Sequence, residues 1–181
     1  MRITGGKFRG RNLHPPHNLP VRPTTDFAKT ALFNILNNHF DFTEVDVLDL
    51  FAGAGSITYE FLSRDVKSVT CVDQDYHCIQ FIKKTAGELK VENVQCIRSN
   101  AFKFVSQTDR KWDIIFADPP FSEAETDKLP EMVFKNNLLN ENGWLIVEHH
   151  SKRTLQSTLE PFDHRNYGSC AFSMYRNTYK I

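Results

Sequence analysis

Residues 45–55 read V-D-V-L-D-L-F-A-G-A-G, and no other stretch restricts the possible folds so strongly. Val45, Val47, Leu48 and Leu50 form a short apolar run that stops at two glycines, the pattern of a buried strand entering a tight turn. Ser56 is the expected cap of a following helix, because Ile57-Thr58-Tyr59-Glu60-Phe61-Leu62 has helical spacing. Strand, glycine turn and helix make the unit that holds nucleotide-like ligands at strand carboxyl ends. Gly53 and Gly55 lack the Cβ atoms that would keep a ligand off the backbone.

The glycine pattern departs from the dinucleotide fingerprint at one place. The third glycine of that fingerprint allows close helix–strand packing, and Thr58 stands there. Two carboxylates compensate. Asp49 ends the first strand, and Asp73 follows a second apolar strand, Ser68–Val72, at the spacing from which an acid reaches ribose hydroxyls. An acid, a Gly-x-Gly turn and a second acid after the next strand resemble the S-adenosylmethionine (SAM) pocket of class I methyltransferases. A nicotinamide or flavin fold, or a glycine loop with no ligand, stays open at this point.

Strand and helix alternate through the rest of the chain. A helix over 76–90 carries Ile79, Ile82 and Ala86 on one face, and strands follow at 94–97, 112–117 and 144–148. Such alternation implies crossover connections and a mostly parallel sheet. From Asp163 onward Tyr167, Cys170, Phe172, Met174 and Tyr175 come without a helix between them, which predicts a terminal antiparallel hairpin. Ahead of the first strand, Phe27, Ala31, Leu32, Ile35 and Leu36 recur at helical spacing, with Thr25 or Asp26 as cap and the apolar face as core.

The charge balance is uneven along the chain. The protein has 22 basic and 22 acidic side chains, yet residues 1–30 hold Arg2, Lys7, Arg9, Arg11, Arg22 and Lys29 against Asp26 alone. That is +5 in the first 30 residues and −5 in the remainder. A basic arm on an acidic body steers toward a polyanion such as nucleic acid. Residues 2–13 alternate around glycine turns and predict a hairpin, whose glycines would admit a phosphate backbone. Pro15, Pro16 and Pro20 make an extended connector behind it. Residues 1–25 are thus set apart as a basic arm suited to nucleic acid and residues 26–181 as the body of the chain.

Other classes lose support. No apolar run approaches the roughly 20 residues of a membrane span, and the start of the chain lacks a signal-peptide core. Cys71, Cys78, Cys96 and Cys170 show neither Cys-x-x-Cys nor metal spacing. Cys71 and Cys96 fall in strands, as reduced core residues of a cytoplasmic protein. His149 and His150 read as polar strand-end residues, and no metal is expected.

The second decisive stretch is W-D-I-I-F-A-D-P-P-F over residues 112–121. Consecutive prolines lock the backbone and remove two amide donors, so their carbonyls and Asp118 are expected to form a fixed set of acceptors at a strand end. An exocyclic base amine is a donor of matching kind, and Phe121 offers a face on which a base stacks. Holding both N–H groups of an aryl amine aims its lone pair, so positioning and preorganised electrostatics supply the catalysis. Asp118 then takes the released proton.

The basic G-G-K-F-R-G-R arm, R-P-T-T-D, D-L-F-A-G-A-G, D-P-P-F and I-V-E-H follow in an order that resembles the bacterial 16S ribosomal RNA guanine-N2 methyltransferase family over nearly the whole chain. The resemblance implies an α/β, class I Rossmann-like fold: a mostly parallel seven-stranded sheet with an antiparallel terminal hairpin and an N-terminal β-hairpin arm. It implies SAM-dependent methyl transfer to guanine N2 of small-subunit RNA or its particles by a monomeric cytoplasmic enzyme. By the same resemblance Asp49, Phe51, Gly53 and Gly55 border SAM, Asp73 its ribose, and Asn100 with Ala101 its adenine. Asp118, Pro119 and Phe121 hold the guanine, and the RNA meets Arg2, Lys7, Arg9, Arg11, Arg22 and Thr25. Many relatives have Asp where this chain has Asn100. The alternatives are an adenine-N6 DNA methyltransferase, for whose usual recognition insert the chain has no room, an oxidoreductase, and a non-catalytic RNA-binding assembly factor.

Overall fold

The computed structural model describes residues 1–17, 19, 24–120 and 122–178. Among them run α1 (Asp26–Asn37), β1 (Asp46–Leu50), α2 (Ser56–Ser63), β2 (Ser68–Asp73), α3 (Tyr76–Leu89), β3 (Val94–Arg98), α4 (Ala101–Gln107), β4 (Trp112–Ala117), α5 (Leu129–Lys135), β5 (Leu139–His150), β6 (Asp163–Tyr167) and β7 (Cys170–Arg176). The strands form one sheet in the order β3-β2-β1-β4-β5-β7-β6. β3 to β5 are parallel, and β7 joins β5 antiparallel with β6 at the edge. This is the mostly parallel, hairpin-ended class I architecture that the sequence predicts. Strand order reverses between β1 and β4, so a crevice opens at their carboxyl ends. No helix among the described residues is long and apolar enough to cross a membrane.

Helices cover both faces of the sheet, so its central strands are apolar on both sides. Val47, Ile114, Phe116 and Ile146 pack with α1, α2 and α3 on one face. Leu48, Leu50, Ile115, Leu145 and Val147 pack with α4 and α5 on the other. β5 begins five residues before the predicted Trp144. The sequence hides this because register shifts between Trp112 and Ile114, where Gly143 lies so close to the carbonyls of Asn140 and Asp113 that a Cβ would meet them at 2.9 and 3.0 Å. A bulge with its glycine reads as a loop.

The α1 face differs from the expected one. Thr25 is the cap, accepting the Ala28 N–H at 3.2 Å, but Ala28, Lys29, Leu32, Phe33 and Leu36 are the buried residues. Phe27, expected in the core, is 70% exposed. Lys29 turns the helix. It is fully buried, its Nζ 3.3 Å from Glu60 Oε1, and it donates to the Arg2 carbonyl. A buried cation in the core-facing stripe is invisible to a pattern of apolar spacing.

Glu60 is the anchor of the N-terminal segment. Its carboxylate, buried on α2, accepts the Thr4 N–H at 2.7 Å and the Thr4 hydroxyl at 3.0 Å, and pairs with Lys29 and Arg64. Residues 2–13 double back as predicted, with one antiparallel bridge pair, Arg2–Asn12. They lie down on α2, with Ile3 in the core and the Lys7 N–H on the Ser63 carbonyl at 2.7 Å. Gly6 serves that docking and not the approach of a phosphate backbone. At φ 75° a Cβ there would stand 1.9 Å from the Ser63 oxygen. Replacing Glu60 with Ala leaves Lys29 buried without its main counter-charge, and about 3–5 kcal/mol of stability is expected to go with it. The shift in urea midpoint measures this.

Candidate functional site: an acid-lined cavity at the strand ends

One cavity of about 580 Å³ lies over the carboxyl ends of all five parallel strands. β1 contributes Asp49 and the turn Phe51-Ala52-Gly53-Ala54; β2 contributes Asp73 and, just after it, Gln74 and Asp75; Ser99, Asn100 and Ala101 follow β3; Asp118, Pro119 and Pro120 follow β4; Glu148 belongs to β5. Met1, Thr24, Thr25, Ser169 and Cys170 form the opposite rim. The sequence-predicted residues Asp49, Phe51, Gly53, Asp73, Asn100, Ala101, Asp118, Pro119 and Thr25 thus converge on one space. Phe121 and Arg22, expected beside the target base, lie outside the described residues.

The charged side chains of the lining have one sign. Asp49, Asp73, Asp75, Asp118, Glu123 and Glu148 face it, with no lysine or arginine among the described lining residues. Three amides of the turn are engaged: Ala52 N–H donates to the Val72 carbonyl at 3.0 Å, Gly55 N–H to the Ala52 carbonyl at 2.8 Å, and Gly53 N–H to Asp73 Oδ2 at 2.8 Å. A pyrophosphate needs a positive field, and a lining of carboxylates opposes one. A cationic ligand fits.

Asp49 is buried, and its Oδ2 accepts the Thr58 hydroxyl at 2.6 Å. Burial pushes its carboxyl up to about 7; the Thr58 hydroxyl opposes the rise and nearby Asp73 adds to it. Thr58, which the spacing presents as a missing glycine, is therefore the residue that orients Asp49. Asp73 holds the turn with one oxygen and accepts the Asp75 N–H with the other at 2.8 Å. Asn100 caps α4, its Oδ1 accepting the Lys103 N–H at 3.1 Å, and so fixes Ala101 in the cavity wall. Phe51 sits at φ 60°, uncommon for a bulky residue, with its ring against Phe102 at 5.6 Å.

Several expectations need correction. Gly55 stands behind the wall. Its φ is 86° and a Cβ would meet Ile82 and the Tyr59 ring at 2.9 Å, so its glycine permits α2 to pack close, the role the fingerprint gives to the absent third glycine. Gly55, not Ser56, occupies the cap position of α2; Ser56 begins the helix with its buried hydroxyl lacking a partner among the described residues, in the cavity wall. The Pro120 carbonyl is not left outward, because it accepts the Glu123 N–H at 2.8 Å. The basic arm is also smaller than its composition. Lys29 is buried, Arg2 pairs with Asp26 and Lys7 with Asp65, leaving exposed Arg9 and Arg11 outside those pairs.

Sequence reasoning missed Thr24 and Glu148 as site residues. Both are buried, and Thr24 Oγ1 donates to Glu148 Oε2 at 2.7 Å. The acid in I-V-E-H was the only signal. His149, beside it, is buried and shares Ser173 Oγ with His164, at 2.9 and 3.1 Å; burial holds its pKa below the usual imidazole value. Among the described residues no group of three His, Cys, Asp or Glu is placed to hold a metal ion.

The family described as Conserved hypothetical protein 95 matches residues 1–176. The chain is 38% identical over 148 residues to Ribosomal RNA small subunit methyltransferase D of Escherichia coli K12, covering 82% of this chain and 71% of that one. It is 31% identical to the Putative rRNA methyltransferase YlbH of Bacillus subtilis, covering 88% of each. The solved structure of the putative methyltransferase yhhF from Escherichia coli superposes with TM-score 0.84 at 30% identity, over 98% of both chains.

The Asp49 environment makes a pH prediction for the ligand-free protein. Its folded pKa, raised to about 7, exceeds the unfolded value near 4, so the folded state binds the extra proton and stability falls as pH rises between roughly 4 and 7. Asp49→Asn is expected to remove that part of the decline, as read by urea unfolding across this window.

Proposed function

The chain belongs to the family described as Conserved hypothetical protein 95, with Ribosomal RNA small subunit methyltransferase D as a relative, and we propose that it transfers a methyl group from SAM to guanine N2 of small-subunit ribosomal RNA. The observation that carries the reading is the cavity lined by six carboxylates, built over a glycine turn whose Gly53 N–H is held by Asp73. This lining suits a sulfonium and an ammonium and opposes a pyrophosphate, which sets the oxidoreductase aside. When bound, SAM supplies an electrophilic methyl. Asp49 and the unpartnered Ser56 hydroxyl would face its charged and polar part, Asp73 its ribose, and Asn100 with Ala101 its adenine.

The chain's own residues then act on the base. Asp118 and Pro119 lie at the end of β4, one strand over from Asp49, so acceptors for an amine stand beside the donor's site. Asp118 and the Pro119 carbonyl accept the two N–H groups, hold the nitrogen lone pair toward the methyl, and exclude water by filling the strand end. As nitrogen gains the methyl it sheds one proton, which passes to Asp118. The ring of Phe121 is proposed to stack on the base. Residues 1–25 are proposed as the RNA-facing arm, acting through Arg9, Arg11 and Arg22 with Arg2 and Lys7 at its edge, in a monomer working in the cytoplasm.

The reading makes two separable predictions. Asp118→Ala is expected to abolish transfer of labelled methyl to small-subunit particles while SAM binding persists; full turnover by that variant ends the role given to Asp118. Replacing Arg9 and Arg11 together with Ala is expected to weaken RNA binding and to flatten its log–log salt slope by about 1.4–1.8. An unchanged slope removes the arm from the interface.

A further inference from the structure

We infer that Glu148, positioned by Thr24, is the residue that selects guanine over other bases, by accepting the ring N1–H next to the amine that is methylated. The inference rests on the guanine-N2 reading of this cavity. Ala117 pairs with Val147 across β4 and β5, so the next residues, Asp118 just after β4 and Glu148 within β5, follow at the same level of the sheet. Both line the cavity. Two acceptor side chains therefore line the cavity from neighbouring strands.

Guanine matches that pair. Its Watson–Crick edge carries N1–H directly beside the N2 amine, two neighbouring donors. Adenine sets an unprotonated N1 beside its amine, and cytosine an unprotonated N3, so each would turn a lone pair toward a carboxylate. Thr24 Oγ1 donates to Glu148 Oε2 at 2.7 Å, so the side chain already serves as an acceptor here. With only 4% of its surface exposed, the group acts in a poorly solvated setting where an opposed base lone pair is costly. Thr24 comes from the segment just ahead of α1 and lines the same cavity, so it fixes the carboxylate from the side opposite the sheet. Glu148 is a specificity residue and Thr24 a positioning residue for it.

The test is initial-rate methyl transfer by the full chain to small-subunit particles reconstituted with guanine, 2-aminopurine or adenine at the position the wild type methylates. 2-Aminopurine keeps the amine at C2 and lacks the N1 proton. Wild type is expected to show kcat/KM for 2-aminopurine about 10- to 100-fold below that for guanine. Glu148→Gln is expected to lose a comparable factor on guanine, to bring the two bases within about threefold, and to bind SAM as the wild type does. Equal wild-type rates on guanine and 2-aminopurine overturn the inference while leaving the guanine-N2 reading intact. So does a Glu148→Gln enzyme that keeps the full preference. If that variant fails to fold, the wild-type comparison of bases decides alone. Absence of transfer by wild type to any guanine particle overturns the reading itself and this inference with it.

Discussion

Parallel strands bring the side chains near their carboxyl ends together, and here Asp49, Asp73, Asp118 and Glu148 gather there as carboxylates. Like charges this close repel and resist burial. The fold answers with fixed donors: Thr58 on Asp49, two backbone amides on Asp73, Thr24 on Glu148. The raised Asp49 carboxyl shows that the compensation is incomplete within the protein. A cation beside Asp49 would complete it.

The same geometry separates two tasks. The β1–β3 side, built on the glycine turn and the α4 cap, is suited to a nucleoside-bearing donor. The β4–β5 side, with Asp118, Pro119 and Glu148, presents acceptors and is proposed to take the base. They meet at the strand-order reversal, where neither helix layer blocks the crevice. Catalysis on an aryl amine asks for little more than this juxtaposition, since the methyl carries its own reactivity and the amine needs only to be held and deprotonated.

Much of this was legible in the residues. Val45 to Gly55 announced the first strand, turn and helix, and β4 occurs over Trp112–Ala117 as read. Local pattern failed wherever a distant partner decided the outcome. Lys29 reads as solvent-facing until Glu60, on the next helix, is brought to it. Gly55 reads as a ligand contact until Ile82 and Tyr59 are seen behind it. Thr58 reads as a lost glycine because only the fold shows that Asp49 needs its hydroxyl. The start of β5 was lost to a bulge, and Thr24 carries no local mark at all, being 124 residues from its partner Glu148.

The central claim is that this cavity is electrostatically made for a sulfonium donor. Calorimetric titration of SAM and of NAD near pH 6.5, in two buffers of different ionisation enthalpy, tests it most directly. The account predicts one-site binding of SAM with net proton release, as a cation beside Asp49 draws its carboxyl back toward the ionised form, and no saturable binding of NAD. Saturation by NAD with none by SAM would contradict it.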